Sequence, residues 1–137
     1  MYAGLPEGGL AKPNRRVYVF DSSRVRSIFQ NLIRERGVEG FYISTIVGVD
    51  LKDKGVIRLD YFTVLLPEEE TIVFRTTIPR ENPVIDSIID IVPGAYSAEL
   101  EIHDLLGVIF KGNEFLKRGF FAPSDIVESG VYPLRRG

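Results

Sequence analysis

The residues with the clearest chemical potential lie between positions 99 and 104. Glu99, His103 and Asp104 place two carboxylates and the only histidine of the chain within six residues. On a helix, Glu99 lies one turn before His103 and could orient it as a general base. The same side chains could bind a divalent metal, because imidazole nitrogens and carboxylate oxygens are both metal ligands. The chemistry to be tested is therefore acid–base catalysis or metal binding.

Helical geometry weakens both interpretations. Asp104 is rotated by about 100° from His103 on an α-helix, and Glu99 and Glu101 point about 200° apart. The chain has no cysteine and no second histidine to complete a metal or iron–sulfur site. Glu99 and Glu101 are better suited to holding local backbone or a basic side chain, with Lys117, Arg118 and Arg135 as the candidate bases. The sequence thus predicts no catalytic residue, metal or cofactor, and leaves a stand-alone enzyme using His103 with Glu99 and Asp104 as an alternative.

The composition is that of an ordinary folded domain. The 137 residues are 45% hydrophobic and 26% charged, which fits a single hydrophobic core. The net charge of −2 does not indicate a nucleic-acid partner. No stretch approaches the roughly 18–20 apolar residues that cross a bilayer, and the N-terminus lacks a signal-peptide layout. We expect a soluble chain, or one that meets a membrane only through a partner.

The elements that must position these residues form an α+β pattern in the order β-α-β-β-β-α-α with an extended C-terminal tail. We expect an antiparallel sheet whose helices cover one face. Residues 1–14 are interpreted as a flexible lead-in, 15–110 as a single α+β domain and 111–137 as an extended interaction tail. The tail is rich in glycine, proline and aromatic residues and has no clear periodicity. It could contact a neighbouring protein or pack on the chain's own sheet.

Four strands are predicted from β-branched and aromatic residues. The first is Arg16–Phe20, and three more follow at Phe41–Val49, Val56–Leu66 and Thr71–Ile78. The connections between the last three are about four residues long, too short for parallel crossovers. These three strands are therefore predicted to form an antiparallel meander.

Three helices are predicted from apolar spacing and capping residues. The first follows the cap at Asp21 and ends at Gly37. The second begins at Asn82-Pro83 and ends before Pro93. The third spans about Ser97–Leu106 and is closed by Gly107.

The segment from Glu99 to Arg118 resembles the signature of the thirty-kilodalton subunit family of NADH-quinone oxidoreductase, which is respiratory complex I. That signature runs approximately E-R-E-x-x-D, two hydrophobic residues, G, hydrophobic, x, F-x-G-H-P-x-L-R-R. The positions in register are Glu99, Glu101, Asp104, Gly107, Phe110, Gly112, Leu116, Lys117 and Arg118. Tyr132, Pro133, Leu134 and Arg135 are similar to the family's H-P-L-R-K tail.

The departures from that signature indicate a divergent branch. Leu100 stands where the family has arginine, and Asn113-Glu114 replaces a histidine–proline pair. Gly119 stands where the family prefers an aliphatic residue. This pattern favours the equivalent protein of an energy-converting hydrogenase or formate hydrogenlyase over that of a standard quinone reductase.

The resemblance implies a cofactor-free accessory subunit in the hydrophilic arm of a complex I-like respiratory complex. In such complexes the member of this family packs on a hydrogenase-like large subunit, beside other peripheral-arm proteins. It would support electron transfer coupled to ion translocation at the cytoplasmic face of the membrane. The signature and tail residues would then identify a contact surface. A free-standing interaction module of the same fold is a further alternative.

Overall fold

The computed structural model describes residues 7–11 and 15–113. Two α-helices and seven strands lie within them, and the predicted α+β class is confirmed. The helices are α1 (Val25–Arg36) and α2 (Tyr96–Leu106). The strands are β1 (Glu7–Ala11), β2 (Arg15–Val19), β3 (Phe41–Leu51), β4 (Val56–Leu65), β5 (Glu70–Pro79), β6 (Val84–Asp86) and β7 (Ile109–Lys111).

The main sheet has five strands in the order β1-β2-β5-β4-β3. The predicted meander is confirmed, since β4 pairs antiparallel with both β3 and β5. The prediction of an antiparallel sheet is wrong for β2, which pairs with β5 in parallel. The reason is the long connection through α1, which carries the chain back across the sheet so that β2 and β3 run in the same direction.

The lead-in prediction is also corrected. Residues Glu7–Ala11 form β1 at the edge of the sheet and pair antiparallel with β2, with an irregular register between Glu7 and Leu10. Gly8 and Gly9 have no side chains, so this segment lacks the alternating pattern by which a strand is recognised in a sequence. Its backbone can pair with β2 all the same. The strand is therefore specified by its neighbour β2.

The helix predicted between Pro83 and Val92 is wrong. Val84–Asp86 instead forms β6, which pairs in parallel with β7, and turns lead from there to α2. This stretch consists largely of valine and isoleucine, whose branched side chains favour strands over helices. Its apolar spacing is also typical of a helix, but backbone pairing with the distant strand β7 stabilises the extended conformation. Because β7 ends at Lys111, the predicted domain boundary at position 110 falls within a strand.

Both helices pack on one face of the main sheet, as predicted. Phe29 of α1 lies with its ring centroid 5.5 Å from that of Tyr61 on β4 and 5.6 Å from that of Phe74 on β5. On the same face, α2 reaches β3 at Gly48, where an added Cβ would collide with Cδ1 of Leu106. A glycine at this point lets α2 approach the sheet closely, which brings Glu99 into the core.

Candidate functional site

The α2 helix carries two acidic residues into the protein interior. Glu99 and Asp104 are both 0% exposed, and Leu100, Ile102 and Leu106 on the same helix are buried as well. A buried carboxylate is costly unless hydrogen-bond donors surround it. The partners of these acids therefore determine what this segment does.

Glu99 is held by donors from two other segments of the chain. The Ser87 hydroxyl and the Asn113 side-chain amide donate to Oε1 over 2.7 and 3.0 Å, and the Ile88 backbone amide donates to Oε2 over 2.9 Å. Ser87 and Ile88 follow β6, and Asn113 follows β7. We call these four residues the Glu99 cradle. It joins α2, the turn after β6 and the end of β7 through one carboxylate.

The Glu99 cradle contains no cation within residues 15–113. Every donor to the carboxylate is a neutral hydroxyl or amide. Burial raises the pKa of Glu99, the three hydrogen bonds oppose that rise, and the charge of Asp90 adds to it. The net result is a raised pKa. The Tyr61 hydroxyl is also fully buried and finds no hydrogen-bond partner in the described part of the chain; burial first, and the Glu99 charge second, raise the pKa of Tyr61.

His103 has a different role from the one a catalytic base would need. Its Nδ1 lies 2.8 Å from the Val108 carbonyl oxygen, which can only accept, so Nδ1 carries the proton. The helix ends at Gly107, whose φ of 77° is left-handed and whose N–H donates to the His103 carbonyl. His103 thus fastens the end of α2 to the chain that follows. The predicted pairing of Glu99 with His103 does not occur.

The metal interpretation finds no support among the described residues. Across residues 7–11 and 15–113, no three side chains of His, Cys, Asp or Glu converge as a metal site would require. Glu99 and His103 are each committed to other partners.

Of the remaining signature residues in the described range, Phe110 and Gly112 act on the chain itself, whereas Glu101 faces solvent. Phe110 is buried in the core, and Gly112 turns the chain after β7 with a φ of 93°. Glu101 is exposed on the solvent side of α2. The other signature positions lie outside the described residues, so their predicted interface role stays a prediction; they are Leu116, Lys117, Arg118, Tyr132, Pro133, Leu134 and Arg135.

A second buried carboxylate lies on the opposite, helix-free face of the sheet. Asp60 of β4 accepts hydrogen bonds from Nε of Arg75 at Oδ1 over 2.8 Å and from NH2 of Arg75 at Oδ2 over 3.1 Å. Nε of Arg58 lies 3.5 Å from the same Oδ2 as an ion-pair partner. We call these three residues the Asp60 cluster. The hydrogen bond to Asp60 raises the pKa of Arg75. This carboxylate is compensated by two guanidinium groups.

Two exposed apolar side chains lie side by side on adjacent strands of the small parallel sheet. Val84 of β6 and Ile109 of β7 are cross-strand partners and are 37% and 43% exposed. Parallel strands are usually covered on both faces. Sequence reasoning missed this pair because position 84 was assigned to a helix, and it missed Ser87 because a distant serine gives no local signal.

Neither helix in the described ranges is long and apolar enough to span a bilayer.

The fold and its signature segment define an α+β domain of the kind found as a component of respiratory oxidoreductases. The family model described as the thirty-kilodalton subunit of respiratory-chain NADH dehydrogenase matches residues 18–137. The chain belongs to this family, and the resemblance predicted from positions 99–118 is confirmed.

Individual relatives agree with the family assignment. A component of the F(420)H(2) dehydrogenase of Methanosarcina mazei is 25% identical over 133 residues, 96% of this chain and 80% of that protein. The corresponding component of the NADH-quinone oxidoreductase of Moorella thermoacetica is 27% identical over 118 residues, 86% of this chain and 76% of that protein. The beta subunit of the membrane-bound hydrogenase of Pyrococcus furiosus is 40% identical over 57 residues, 42% of this chain and 32% of that protein.

A solved structure shares the fold over nearly the whole chain. It belongs to the membrane-bound sulfane sulfur reductase, an archaeal respiratory membrane complex. The TM-score is 0.80 at 23% identity, with 96% of this chain and 75% of that chain covered. The chain is accordingly a subunit of a complex I-like or membrane-bound hydrogenase-type complex.

Proposed function

We propose that the chain is a cofactor-free structural subunit in the hydrophilic arm of its complex. There it packs on a hydrogenase-like large subunit, beside other peripheral-arm proteins at the cytoplasmic face of the membrane. By fixing the position of that large subunit it supports electron transfer coupled to ion translocation. The observation that carries this proposal is that Glu99 and His103, the two side chains considered for catalysis, both bind the chain's own segments.

The relatives support a scaffolding role over substrate binding. Their names refer to different electron carriers, F420H2 in one and NADH with quinone in another, and a third belongs to a hydrogenase. A subunit that occurs in complexes with different electron donors is expected to bind the proteins that these complexes have in common. What they share is the architecture of the assembly.

The contact surface is expected near the end of the described chain. The exposed pair Val84 and Ile109 lies on the small sheet from which the chain enters residues 114–137. That segment holds the predicted interface residues Leu116, Lys117, Arg118, Tyr132, Pro133, Leu134 and Arg135. Aromatic residues and arginine are favoured anchors in protein interfaces. We therefore include both the small sheet and these predicted residues in the proposed contact with the large subunit.

Affinity purification from native membranes tests the proposal. The full chain, tagged and expressed in its own host, is recovered after detergent solubilisation, and the proteins that accompany it are identified. A hydrogenase-like large subunit in near-equal amount is the expected result. Recovery of the chain alone, under conditions that keep other membrane complexes intact, would overturn the proposal.

A pair of variants locates the contact surface. Replacing Val84 and Ile109 together by serine should reduce recovery of the large subunit while leaving the domain folded, because both side chains are already exposed. The control is Val38→Ser, since Val38 is 75% exposed and lies between α1 and β3. Equal recovery with the wild type and both variants would remove the small sheet from the interface.

A further inference from the structure

The main sheet ends on one side in a long strand, β3 (Phe41–Leu51). One side of β3 pairs with β4 from end to end, and among the described residues no strand lies on its outer side. An end strand presents a row of backbone N–H and C=O groups that can pair with another extended chain. The outer side of β3 is therefore a candidate interaction surface.

Two backbone hydrogen bonds show which groups of β3 point outwards. The Leu66 amide donates to the Gly40 carbonyl, and the Arg80 amide donates to the Gly55 carbonyl, each over 2.9 Å. Consecutive residues of an antiparallel strand turn their backbone groups to opposite sides. The two bonds therefore fix which residues of β4 face β3, and hence which residues of β3 face outwards, on both sides of its register shift. The outward-pointing backbone groups include those of Phe41, Ile43, Ile46 and Gly48.

The sequence of β3 does little to protect this edge. Charged residues, lysine above all, and proline discourage pairing at the edge of a sheet, and the stretch Phe41–Val49 contains none of them. The register shift between Ile43 and Thr45 interrupts the edge at one point. Beside the outward-pointing backbone, Tyr42 and Val47 are 50% and 39% exposed. The backbone and these side chains together suit an extended, uncharged segment.

We propose that the outer edge of β3 binds an extended segment of another subunit of the complex, which adds a strand to the main sheet. In strand addition, backbone hydrogen bonds provide affinity and side-chain contacts provide specificity. The incoming segment is expected to be uncharged and to place an apolar side chain beside Tyr42 and Val47. The inference rests on the proposed assembly of the chain into a complex, but it concerns the main sheet and not the small sheet of Val84 and Ile109.

A different subunit suits this edge better than a second copy of the chain. Pairing two β3 strands would place two register shifts in one ladder, and each shift interrupts the backbone hydrogen bonds. A regular strand from a different protein meets only one such shift. The family assignment provides such neighbours, because the chain is a subunit of a complex I-like or membrane-bound hydrogenase-type complex.

Photo-crosslinking in native membranes tests the proposal. Tyr42 is replaced by the photoreactive residue p-benzoylphenylalanine, which keeps an aromatic ring at this exposed position, in the full chain expressed in its own host. Irradiation before solubilisation should join the chain to one other subunit. A cross-link to a second copy, a cross-link within the chain, or no cross-link overturns the proposal. Because the cross-link forms before purification, its absence is distinguishable from failure to recover the large subunit.

A matched pair of variants tests whether the edge itself makes the contact. Val47→Lys places a charge beside the outer edge and should lower the yield of the Tyr42 cross-link several-fold. The control is Val19→Lys, since Val19 is 42% exposed but lies on β2, an inner strand of the same sheet. The control should leave the yield unchanged. Equal yields with the two variants would overturn the proposal.

Amide hydrogen exchange distinguishes strand pairing from simple proximity. In the purified complex the outward amides of Ile43, Ile46 and Gly48 should exchange at least about ten-fold more slowly than in the isolated full chain, because each gains an acceptor. The amides of Val47 and Val49 point towards β4 and should be protected in both samples. Equal exchange of the three outward amides in both samples would contradict the addition of a strand.

Discussion

Each face of the main sheet carries a buried carboxylate, and the two carboxylates are stabilised by different kinds of partner. On the helix-free face, Asp60 is 3% exposed and is neutralised by Arg75 and Arg58. On the helix-covered side, Glu99 is 0% exposed and receives only neutral donors within the described part of the chain. In the Asp60 cluster 31% of each arginine side chain is exposed, although Nε of Arg58 is itself buried and makes no hydrogen bond among the described residues.

The difference shows how depth selects the partner of a buried carboxylate. Near the surface, a guanidinium can pair with the acid and remain hydrated, which keeps the desolvation cost low. In the core, a guanidinium would have to be buried as well, and neutral amides and hydroxyls are the cheaper donors. The Asp60 cluster fixes the geometry of the strands. The Glu99 cradle joins three segments through a carboxylate that protonation would neutralise.

Removal of the Glu99 side chain should have the largest effect. Glu99→Ala leaves the buried Ile88 amide and the side chains of Ser87 and Asn113 without their acceptor and opens a cavity beside them. We expect a loss of about 3–5 kcal/mol in the free energy of unfolding, measured by denaturant titration. Glu101→Ala, on the exposed side of α2, should stay within about 0.5 kcal/mol of the wild type. Similar losses for both variants would contradict the importance of the cradle.

Removal of Asp60 should cost less. Asp60→Ala leaves Arg58 and Arg75 without their carboxylate, but both guanidinium groups can be hydrated, so we expect a loss of about 1–2 kcal/mol. The loss should shrink at high salt because the cluster is partly exposed. A loss larger than that of Glu99→Ala, in the same denaturant titration, would reverse the comparison between the two faces.

The close approach of α2 to the sheet can be tested at Gly48. Gly48→Ala forces the new Cβ against the ends of Leu106 and Ile102, which must shift within the core. Overpacking of this kind should cost about 1–2 kcal/mol in thermal or chemical unfolding. The control is Gly94→Ala, where an added Cβ meets nothing within 4 Å and the change should be within about 0.5 kcal/mol. Equal effects at both positions would show that Gly48 does not limit the packing of α2.

The smallest effect is expected at the exposed ion pair beside the cradle. Arg26 makes two hydrogen bonds of 2.7 Å to Asp90, and the pairing lowers the pKa of Asp90. The stabilisation from this pair is present above the ordinary pKa of 3.8 and is lost as the pH falls through the lowered value. Arg26→Ala should cost about 0.5–1 kcal/mol at neutral pH, including its bond to the Ser87 carbonyl. Arg34→Ala is the control on α1, since the guanidinium of Arg34 donates to Asn31 of the same helix over 2.9 Å. An equal loss there would contradict the assignment.

The sequence predicted elements whose stabilising contacts follow a local pattern. In α1 the apolar spacing gave the buried face, and Gly37 ended the helix as expected, with a φ of 79°. The alternation in β5 placed Ile72 and Phe74 on the helix-covered face, where both are fully buried. Short turns forced the antiparallel meander.

The failures occur where distant pairing decides the structure. The predicted second helix became β6 because β7, more than 20 residues later, supplies its hydrogen-bond partners. The parallel pairing of β2 with β5 spans more than 50 residues and leaves no local signal. Sequence patterns report only on residues close together in the chain, so they do not predict pairing between strands that are distant in sequence.

The candidate site was predicted in part. Glu99 was expected to hold local backbone or a basic side chain, and it accepts from the Ile88 amide. The candidate bases Lys117, Arg118 and Arg135 lie outside the described residues, so that part stays a prediction. Ser87 and Asn113 could not be identified as its partners, because their approach depends on the position of β6 and β7. Asn113 was noted only as a departure from the family's histidine–proline pair.

The central claim is that, within residues 15–113, Glu99 is a buried carboxylate held by neutral donors, whereas Asp60 is paired with guanidinium groups. The most direct test measures the free energy of unfolding of the wild type and of Glu99→Gln between about pH 4.5 and pH 8, since 4.5 is the ordinary pKa of the Glu99 carboxyl. Because the raised pKa of Glu99 makes the folded state bind the extra proton, the wild type should lose stability relative to Glu99→Gln as the pH rises through this window. A wild-type advantage over Glu99→Gln that stays constant or grows with rising pH would contradict the claim.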